Sequence, residues 1–311
     1  MKKLLIFLAL LISLQGFGQT VLTSGTTVLR SGTTVLTQNY ETESDAIFAA
    51  MGTTPSDARK LLIDNLVKGL KDDGVWTLLD FFYVLAAHAE NSSLLNLINP
   101  GTFDATNVSS TAYEVDRGYT GAAGDYLNSN YNPNTDRVNY VLDDCSMGVY
   151  VRTDLNAGVD IGGLGGSTSY IYPRIGGNSG VRMNSGGDGT VANANSQGFY
   201  IVNRVLSTHQ DLYKNKVRTI NHARNSTTIP DIDFYILAYN NSGTATLLSS
   251  KQVAAAFAGG GMTQTQVTAF TDRLETYMDA IGAGVISEMM WLILLLIPNI
   301  RRKEEEFKIA A

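Results

Sequence analysis

Two carboxylates separated by one residue have the spacing that hydrolysis of a glycosidic bond could use. Glu114 and Asp116 flank Val115, and residues i and i+2 of a β-strand project from the same face. Retaining glycosidases need two carboxyl groups about 5 Å apart. Glu114 and Asp116 could supply a nucleophile and its helper, but Tyr119, three residues beyond Asp116, cannot act as a carboxylic acid/base partner. The sequence therefore predicts a non-catalytic protein, with Asp116 paired to Arg117 in a turn and a hydrolase as the alternative.

Three aspartates are candidate ligands for a hard cation. Asp231 and Asp233 also have the i, i+2 spacing, and Asp188 lies in the glycine-rich segment SGGDG. Calcium takes several oxygen ligands, and none of these segments contains a complete ligand loop. We therefore predict no obligate cofactor. If the three carboxylates form a site, calcium is the ion they would hold, and solvated turn residues are the alternative.

Aromatic side chains beside amide-rich loops form a third candidate set. Carbohydrates are bound by aromatic faces together with polar groups on loops above a rigid sheet. The residues that could supply such a surface are Tyr119, Tyr126, Asn130, Tyr131, Tyr170 and Tyr172. The alternative for each tyrosine is packing in a strand. These residues predict a glycan-binding surface.

Composition excludes several classes of function. The 311 residues carry 23 lysines and arginines against 29 aspartates and glutamates, a formal net charge of −6. Nucleic-acid binding needs a basic surface to displace counterions, so we predict no nucleic-acid partner. Cys145 is the single cysteine, which excludes an internal disulfide or a cysteine-based zinc site.

The N-terminus has the pattern of a secretory signal peptide. Lys2 and Lys3 precede an apolar run at residues 4–14, and small residues stand at the −3 and −1 positions of a cleavage site before Gln19. Residues 1–18 are thus predicted to direct the protein to secretion or the cell surface. Residues 19–40 repeat a Thr-Val-Leu triplet closed by Ser-Gly and are predicted to form an extended spacer.

The C-terminal tail, residues 284–311, is the second segment with a membrane signature. Residues 281–300 are mostly apolar and are followed by Arg301, Arg302 and Lys303. Twenty helical residues reach about 30 Å, enough to cross a bilayer core. One interpretation is therefore that residues 281–300 anchor the protein in a membrane. Glu288 and Pro298 favour the alternative, an amphipathic or core-docked helix.

Between these ends the pattern changes from helical to strand-rich. Residues 41–95 are predicted as a helical preface, with a helix beginning after Pro55 and Ser56 and with a turn and strand over 75–85. Residues 96–283 contain short apolar runs between turn clusters, typical of a sandwich or barrel. Thr263 can cap a final helix over Gln264–Ala280. The predicted strands are 112–115, 138–142, 147–152, 169–173, 198–203, 216–221 and 234–239.

Several segments resemble the concanavalin A-like lectin/glucanase superfamily, particularly LamG-like jelly rolls. They are residues 116–121 (DRGYTG), 126–133 (YLNSNYNP), 234–240 (FYILAYN) and 253–259 (VAAAFAG). The resemblance implies a mainly β protein, an antiparallel jelly-roll β-sandwich with an N-terminal helical preface and a C-terminal helix. It implies a module that binds glycans or proteins, with a glycoside hydrolase of the glucanase type as the alternative. Calcium is common among LamG-like domains.

The preface itself is similar to that of phage and prophage virion or tail-associated proteins. The similarity lies in residues 55–60 (PSDARK), 83–88 (YVLAAH) and 99–104 (NPGTFD). It implies kinship with phage structural proteins. Partners would then be a glycan or a cell-surface or virion protein, with the virion as the alternative location and a purely structural virion or envelope component as the alternative function.

Overall fold

The structure, a computed structural model, describes residues 21–23, 26–31, 34–36 and 38–286. The predicted signal peptide and residues 287–311 of the predicted tail lie outside them. The helices are α1 (Thr42–Ala50), α2 (Asp57–Asp72), a 3-10 turn (Trp76–Leu78), α3 (Glu90–Ser93) and α4 (Gln264–Ala280). The strands are β1 (Val21–Thr23), β2 (Thr26–Ser31), β3 (Thr34–Leu36), β4 (Leu79–Val84), β5 (Thr106–Val108), β6 (Ala112–Glu114), β7 (Gly118–Thr120), β8 (Tyr126–Asn128), β9 (Cys145–Val151), β10 (Ile161–Gly165), β11 (Ser167–Ile175), β12 (Asn178–Arg182), β13 (Gly189–Ala192), β14 (Gly198–Leu206), β15 (His209–Lys214), β16 (Val217–Ala223), β17 (Tyr235–Ile236), β18 (Tyr239–Asn241), β19 (Thr244–Thr246) and β20 (Gln252–Gly259).

Two mainly antiparallel sheets form a β-sandwich, which confirms the predicted fold class. The inner sheet has eight strands in the order β16-β15-β14-β9-β20-β7-β6, with β4 also paired to β20. The outer sheet has nine strands in the order β13-β12-β11-β10-β17-β8-β5, with the hairpin β18–β19 attached to β10. The repeat segment forms a separate antiparallel sheet of β1, β2 and β3.

A hydrophobic core fills the space between the two sheets. Met147, Val149 and Val151 of β9 are buried in it, together with Ile171 of β11 and Val181 of β12. Their alternate positions along the strands place every second side chain in this core. The other side chains of β11 therefore point to the opposite face of the outer sheet.

A second core lies between the inner sheet and the helices. Phe270 of α4 contacts Phe257 of β20, with ring centroids 4.8 Å apart, and Phe82 of β4, at 5.3 Å. Leu66 and Val67 of α2 are buried in the same cluster. The inner sheet is thus covered on both faces, and the exposed face of the outer sheet is the sheet surface that the described helices leave free.

The predicted preface shares the inner sheet with the rest of the chain. The predicted turn and strand over 75–85 are confirmed as the 3-10 turn and β4, and Val84 of β4 pairs with Ala255 of β20. The Ser56 side chain caps α2, and Thr263 forms a capping box with Gln266 at the start of α4. Residues 41–95 and 96–283 therefore contribute to one continuous sheet.

One prediction about local structure is wrong. The strand predicted at 138–142 is a loop, because the Asp80 carboxylate accepts hydrogen bonds from backbone N–H groups that a sheet would have used. No helix within the described residues is long and apolar enough to span a membrane. Residues 281–286 of the predicted anchor form a turn and an irregular segment.

Candidate binding face

Tyrosines are concentrated on the exposed face of the outer sheet. Tyr170 and Tyr172 flank Ile171 on β11, so the strand alternation turns both rings away from the inter-sheet core that holds Ile171. Arg182 of β12 pairs with Tyr170, and Tyr239 of β18 contacts the Tyr170 ring. We call Tyr170, Tyr172, Tyr239, Arg182 and Asp188 the tyrosine face.

The rings of the tyrosine face are packed against one another. Tyr170 and Tyr172 stack with centroids 5.6 Å apart and planes 28° apart, while Tyr239 meets Tyr170 edge-on at 5.8 Å. The guanidinium carbon of Arg182 lies 5.5 Å from the Tyr170 ring centroid, within the range of a cation–π contact. Tyr170 is buried between its neighbours, with 8% of its surface exposed, whereas Tyr172 and Tyr239 remain half-exposed. The result is a preformed aromatic surface with polar groups at its margin.

A second tyrosine pair shares this face. Tyr126 of β8 stacks on Tyr235 of β17 with centroids 4.3 Å apart. Gly162 of β10 pairs with Tyr235 on one side and with Tyr170 on the other. Two strand spacings separate the pairs, about 10 Å.

Charge on the tyrosine face is locally compensated. Asp188 Oδ1 accepts hydrogen bonds from the Tyr170 hydroxyl and from Nε of Arg182. Burial raises the pKa of Asp188, but the hydrogen bonds from Arg182 and Tyr170 and the arginine charge outweigh it, so the pKa lies below its ordinary value. The carboxylate is therefore ionised at neutral pH and neutralised by Arg182.

The phenol groups are hydrogen-bond donors over the physiological pH range. Burial raises the pKa of Tyr170 and Tyr172, and the neighbouring Asp188 carboxylate raises both further. The Tyr172 hydroxyl forms no hydrogen bond with any described residue, in contrast to that of Tyr170. It is free to bond a ligand placed over the rings.

The six predicted glycan-binding residues do not come together. Tyr170 and Tyr172 lie on the tyrosine face, and Tyr126 lies on the neighbouring pair. The prediction is wrong for Tyr119 and Tyr131, which are completely buried and bond the side chains of Ser93 and Asp80. The Asn130 amide donates to the Asp104 carbonyl and to Thr106 Oγ1, both at 2.7 Å, which stabilises a turn.

The three predicted calcium ligands have other partners. Asp188 is paired with Arg182, while Oδ1 of Asp231 accepts from the Asn132 amide at 2.9 Å and Oδ2 of Asp233 accepts from the Asn128 amide at 3.1 Å. Across the part of the chain that the structure describes, no three His, Cys, Asp or Glu side chains gather as a metal site.

The carboxylate pair predicted from its spacing is not held on one strand. β6 ends at Glu114, and Asp116 has a φ of 59°, a turn conformation. Asp116 Oδ1 lies 2.8 Å from the Arg59 guanidinium of α2, whereas Glu114 accepts from Gln252 at 3.0 Å. The predicted ion pair of Asp116 with Arg117 is also wrong, since Arg117 donates to backbone carbonyls.

Sequence reasoning missed Tyr239, Tyr235 and Arg182. The first two fall in a predicted strand at 234–239, which the structure divides into β17 and β18. Their position next to Tyr170 and Tyr126 follows from pairing between distant strands. Arg182 carries no local signal, because its place beside Tyr170 depends on the register of β11 with β12.

Comparison with known proteins yields structural likenesses only. No protein-family model matches this chain, and no curated protein does. A variant of the Trypanosoma rangeli sialidase is 13% identical with a TM-score of 0.49, over 74% of this chain and 40% of that one. The receptor-binding domain of botulinum neurotoxin mosaic serotype C/D is 10% identical with a TM-score of 0.46, over 63% and 51%. The serotype D binding domain is 9% identical with a TM-score of 0.42, over the same shares of the two chains, 63% and 51%. The chain thus spans about half or less of these structures, and no family membership follows.

Proposed function

We propose that this protein is a non-catalytic module that binds glycans on the exposed face of the outer sheet. The observation that carries the proposal is the stacked pair of Tyr170 and Tyr172 beside the Arg182–Asp188 ion pair. Sugar rings have apolar C–H faces that pack on aromatic rings and hydroxyls that bond charged and amide groups. The tyrosine face offers both within one preformed surface.

The charge balance of the face favours neutral saccharides. Arg182 is occupied by Asp188, so an anionic sugar would have to compete with a carboxylate already in place. Two hydroxyls of a neutral sugar can instead form hydrogen bonds with the free Tyr172 phenol and with the solvent-exposed part of the Asp188 carboxylate. A secreted or cell-surface location belongs to the same proposal and is supported by Lys2, Lys3 and the apolar run that follows them.

A glycan array probed with the full chain tests the proposal. We expect binding to a subset of saccharides and a loss of roughly tenfold in affinity, equivalent to about 1.4 kcal/mol, in the variants Tyr172→Ala and Tyr239→Ala. Tyr40→Ala is the matched control, because Tyr40 is a half-buried tyrosine that packs on Phe48 of α1.

Two results would overturn the proposal. One is an array with no saccharide bound above background by the folded wild-type protein. The other is binding that both face variants retain at wild-type affinity, which would place the site elsewhere. Release of reducing sugar from a bound polysaccharide would contradict the non-catalytic part alone.

A further inference from the structure

We infer that a cavity beside Trp76, independent of the tyrosine face, binds small organic cations that have an apolar body. The cavity has a volume of about 380 Å³, within the 300–1,000 Å³ range typical of ligand pockets. It lies where the 3-10 turn and β4 meet the loop at residues 136–139.

The walls of the cavity are mainly apolar. Trp76, Leu79, Ile98 and Phe103 line it, and Val138 forms part of its rim. Val138 is 81% exposed although it is a valine beside a hydrophobic cluster. An apolar ligand body would cover the Val138 side chain, and removal of that apolar surface from water would stabilise the complex.

The ionisable groups that line the cavity are both acidic. They are Asp80 and Asp136, and neither forms an ion pair with a described residue. Among the described residues, the groups that donate to Asp136 are the Asn132 backbone N–H and the Thr135 hydroxyl. The neighbouring cation, Arg137, is directed to the carbonyls of Pro133 and Asn134. The lining therefore has negative charge without a cationic counterpart, which a cationic ligand would supply.

The cavity is held in shape by the Asp80 carboxylate. It accepts from the backbone N–H of Val138 at 3.2 Å, Asn139 at 2.7 Å and Tyr140 at 3.1 Å, and from the Tyr131 hydroxyl at 2.6 Å. These bonds fix the loop that carries Asp136 and Val138. A preformed site loses less entropy on binding, and the aromatic walls can contact the cation itself.

Ligand binding can be followed through the fluorescence of Trp76, because this side chain lines the cavity. The chain has two tryptophans, so a full-length Trp291→Phe protein isolates the Trp76 fluorescence. The probes are 2-phenylethylammonium, the neutral 2-phenylethanol and the anionic 3-phenylpropanoate. We expect a saturable change with the ammonium ion, at least fivefold weaker binding of the alcohol, and no saturable change with the anion.

Variants assign the effect to this cavity. Asp136→Asn is expected to weaken binding of the ammonium ion at least fivefold and to leave the alcohol unchanged, whereas Asp125→Asn, the same charge change at a residue outside the lining, should alter neither. Val138→Phe, at an exposed position, is expected to fill the rim and weaken both. Equal binding of cation and anion, or no saturable change with the cation in a folded protein, would overturn the inference.

Discussion

Nζ of Lys251 lies 3.0 Å from Oδ2 of Asp160, and both side chains are completely buried. Lys251 also donates to the carbonyls of Ala157, at 2.8 Å, and Gly158, at 3.3 Å. Neither carboxylate oxygen accepts a well-aligned hydrogen bond from a described residue. Burial raises the pKa of Asp160, and the Lys251 charge opposes that change. The pair is therefore matched in charge but incompletely hydrogen-bonded.

The first prediction concerns this pair. Lys251→Met should lower the free energy of unfolding by about 3 to 5 kcal/mol, because it leaves a buried carboxylate without its counter-charge. The double variant Lys251→Met/Asp160→Leu should be more stable than the single variant. Urea unfolding at pH 7 measures both. Additive losses in the double variant would contradict the coupling.

The second prediction concerns Glu275 of α4, which accepts a hydrogen bond from the Tyr150 hydroxyl and, at 2.8 Å, one from the Ile286 N–H. Burial raises the pKa of Glu275, although these hydrogen bonds lower it in part. A carboxyl whose pKa is higher in the folded state holds its proton more tightly there, so stability falls as the pH rises from about 4.3 through the raised pKa.

Glu275→Gln removes this titration and should make the unfolding free energy less dependent on pH in that window. Thermal melts between pH 4 and pH 8 provide the comparison. The matched control is Glu90→Gln, because Glu90 is exposed. If the stability of Glu275→Gln and that of Glu90→Gln depend on pH in the same way, the raised pKa of Glu275 does not contribute to the pH dependence of folding.

The third prediction concerns Asp80. Asp80→Asn turns an amide donor toward the N–H groups of Val138, Asn139 and Tyr140, so at least one of these donors loses its acceptor. We expect a loss of about 2 to 3 kcal/mol in the free energy of unfolding, measured by urea denaturation. Asp104→Asn is not a suitable control, since Asp104 also accepts backbone hydrogen bonds. Asp125→Asn serves instead and should change stability little.

The fourth prediction concerns Gly180 of β12, which lies beneath the Tyr172 ring of the tyrosine face. A Cβ at Gly180 would lie 2.0 Å from Cζ of Tyr172, so Gly180→Ala must displace that ring. The ring is at the end of a flexible side chain, and stability should change little while glycan affinity falls. Gly186→Ala is the control, because a Cβ there meets no atom within 4 Å. Unchanged affinity in Gly180→Ala would show that the Tyr172 position is not used.

Features with a local physical cause could be predicted from the sequence. The α2 and α4 starts follow from Ser56 and Thr263, whose side chains bond the first turn. β20 has no such signal, because three consecutive alanines favour a helix and burial on both faces removes the alternation of polar and apolar residues. Pairing with β4 and β9 determines its conformation.

The candidate site was predictable to a smaller extent. Tyr170 and Tyr131 are the same residue type in similar polar surroundings, but one faces outward and the other bonds Asp80 in the core. That difference depends on a partner about fifty residues away along the chain. Alternation within β11 indicated the outward direction of Tyr170 and Tyr172, whereas no local pattern indicated the burial of Tyr131.

The position of β20 affects the order in which the chain can fold. β20 lies between β9 on one side and β4 and β7 on the other, but of the strands that the structure describes it is the last to be synthesised. The edges of β4 and β9 that pair with β20 therefore stay unpaired until residue 259 has been synthesised. Such long-range pairing slows folding, and exposed strand edges invite association with other chains. Newly made chains are thus most vulnerable to aggregation before β20 has been synthesised.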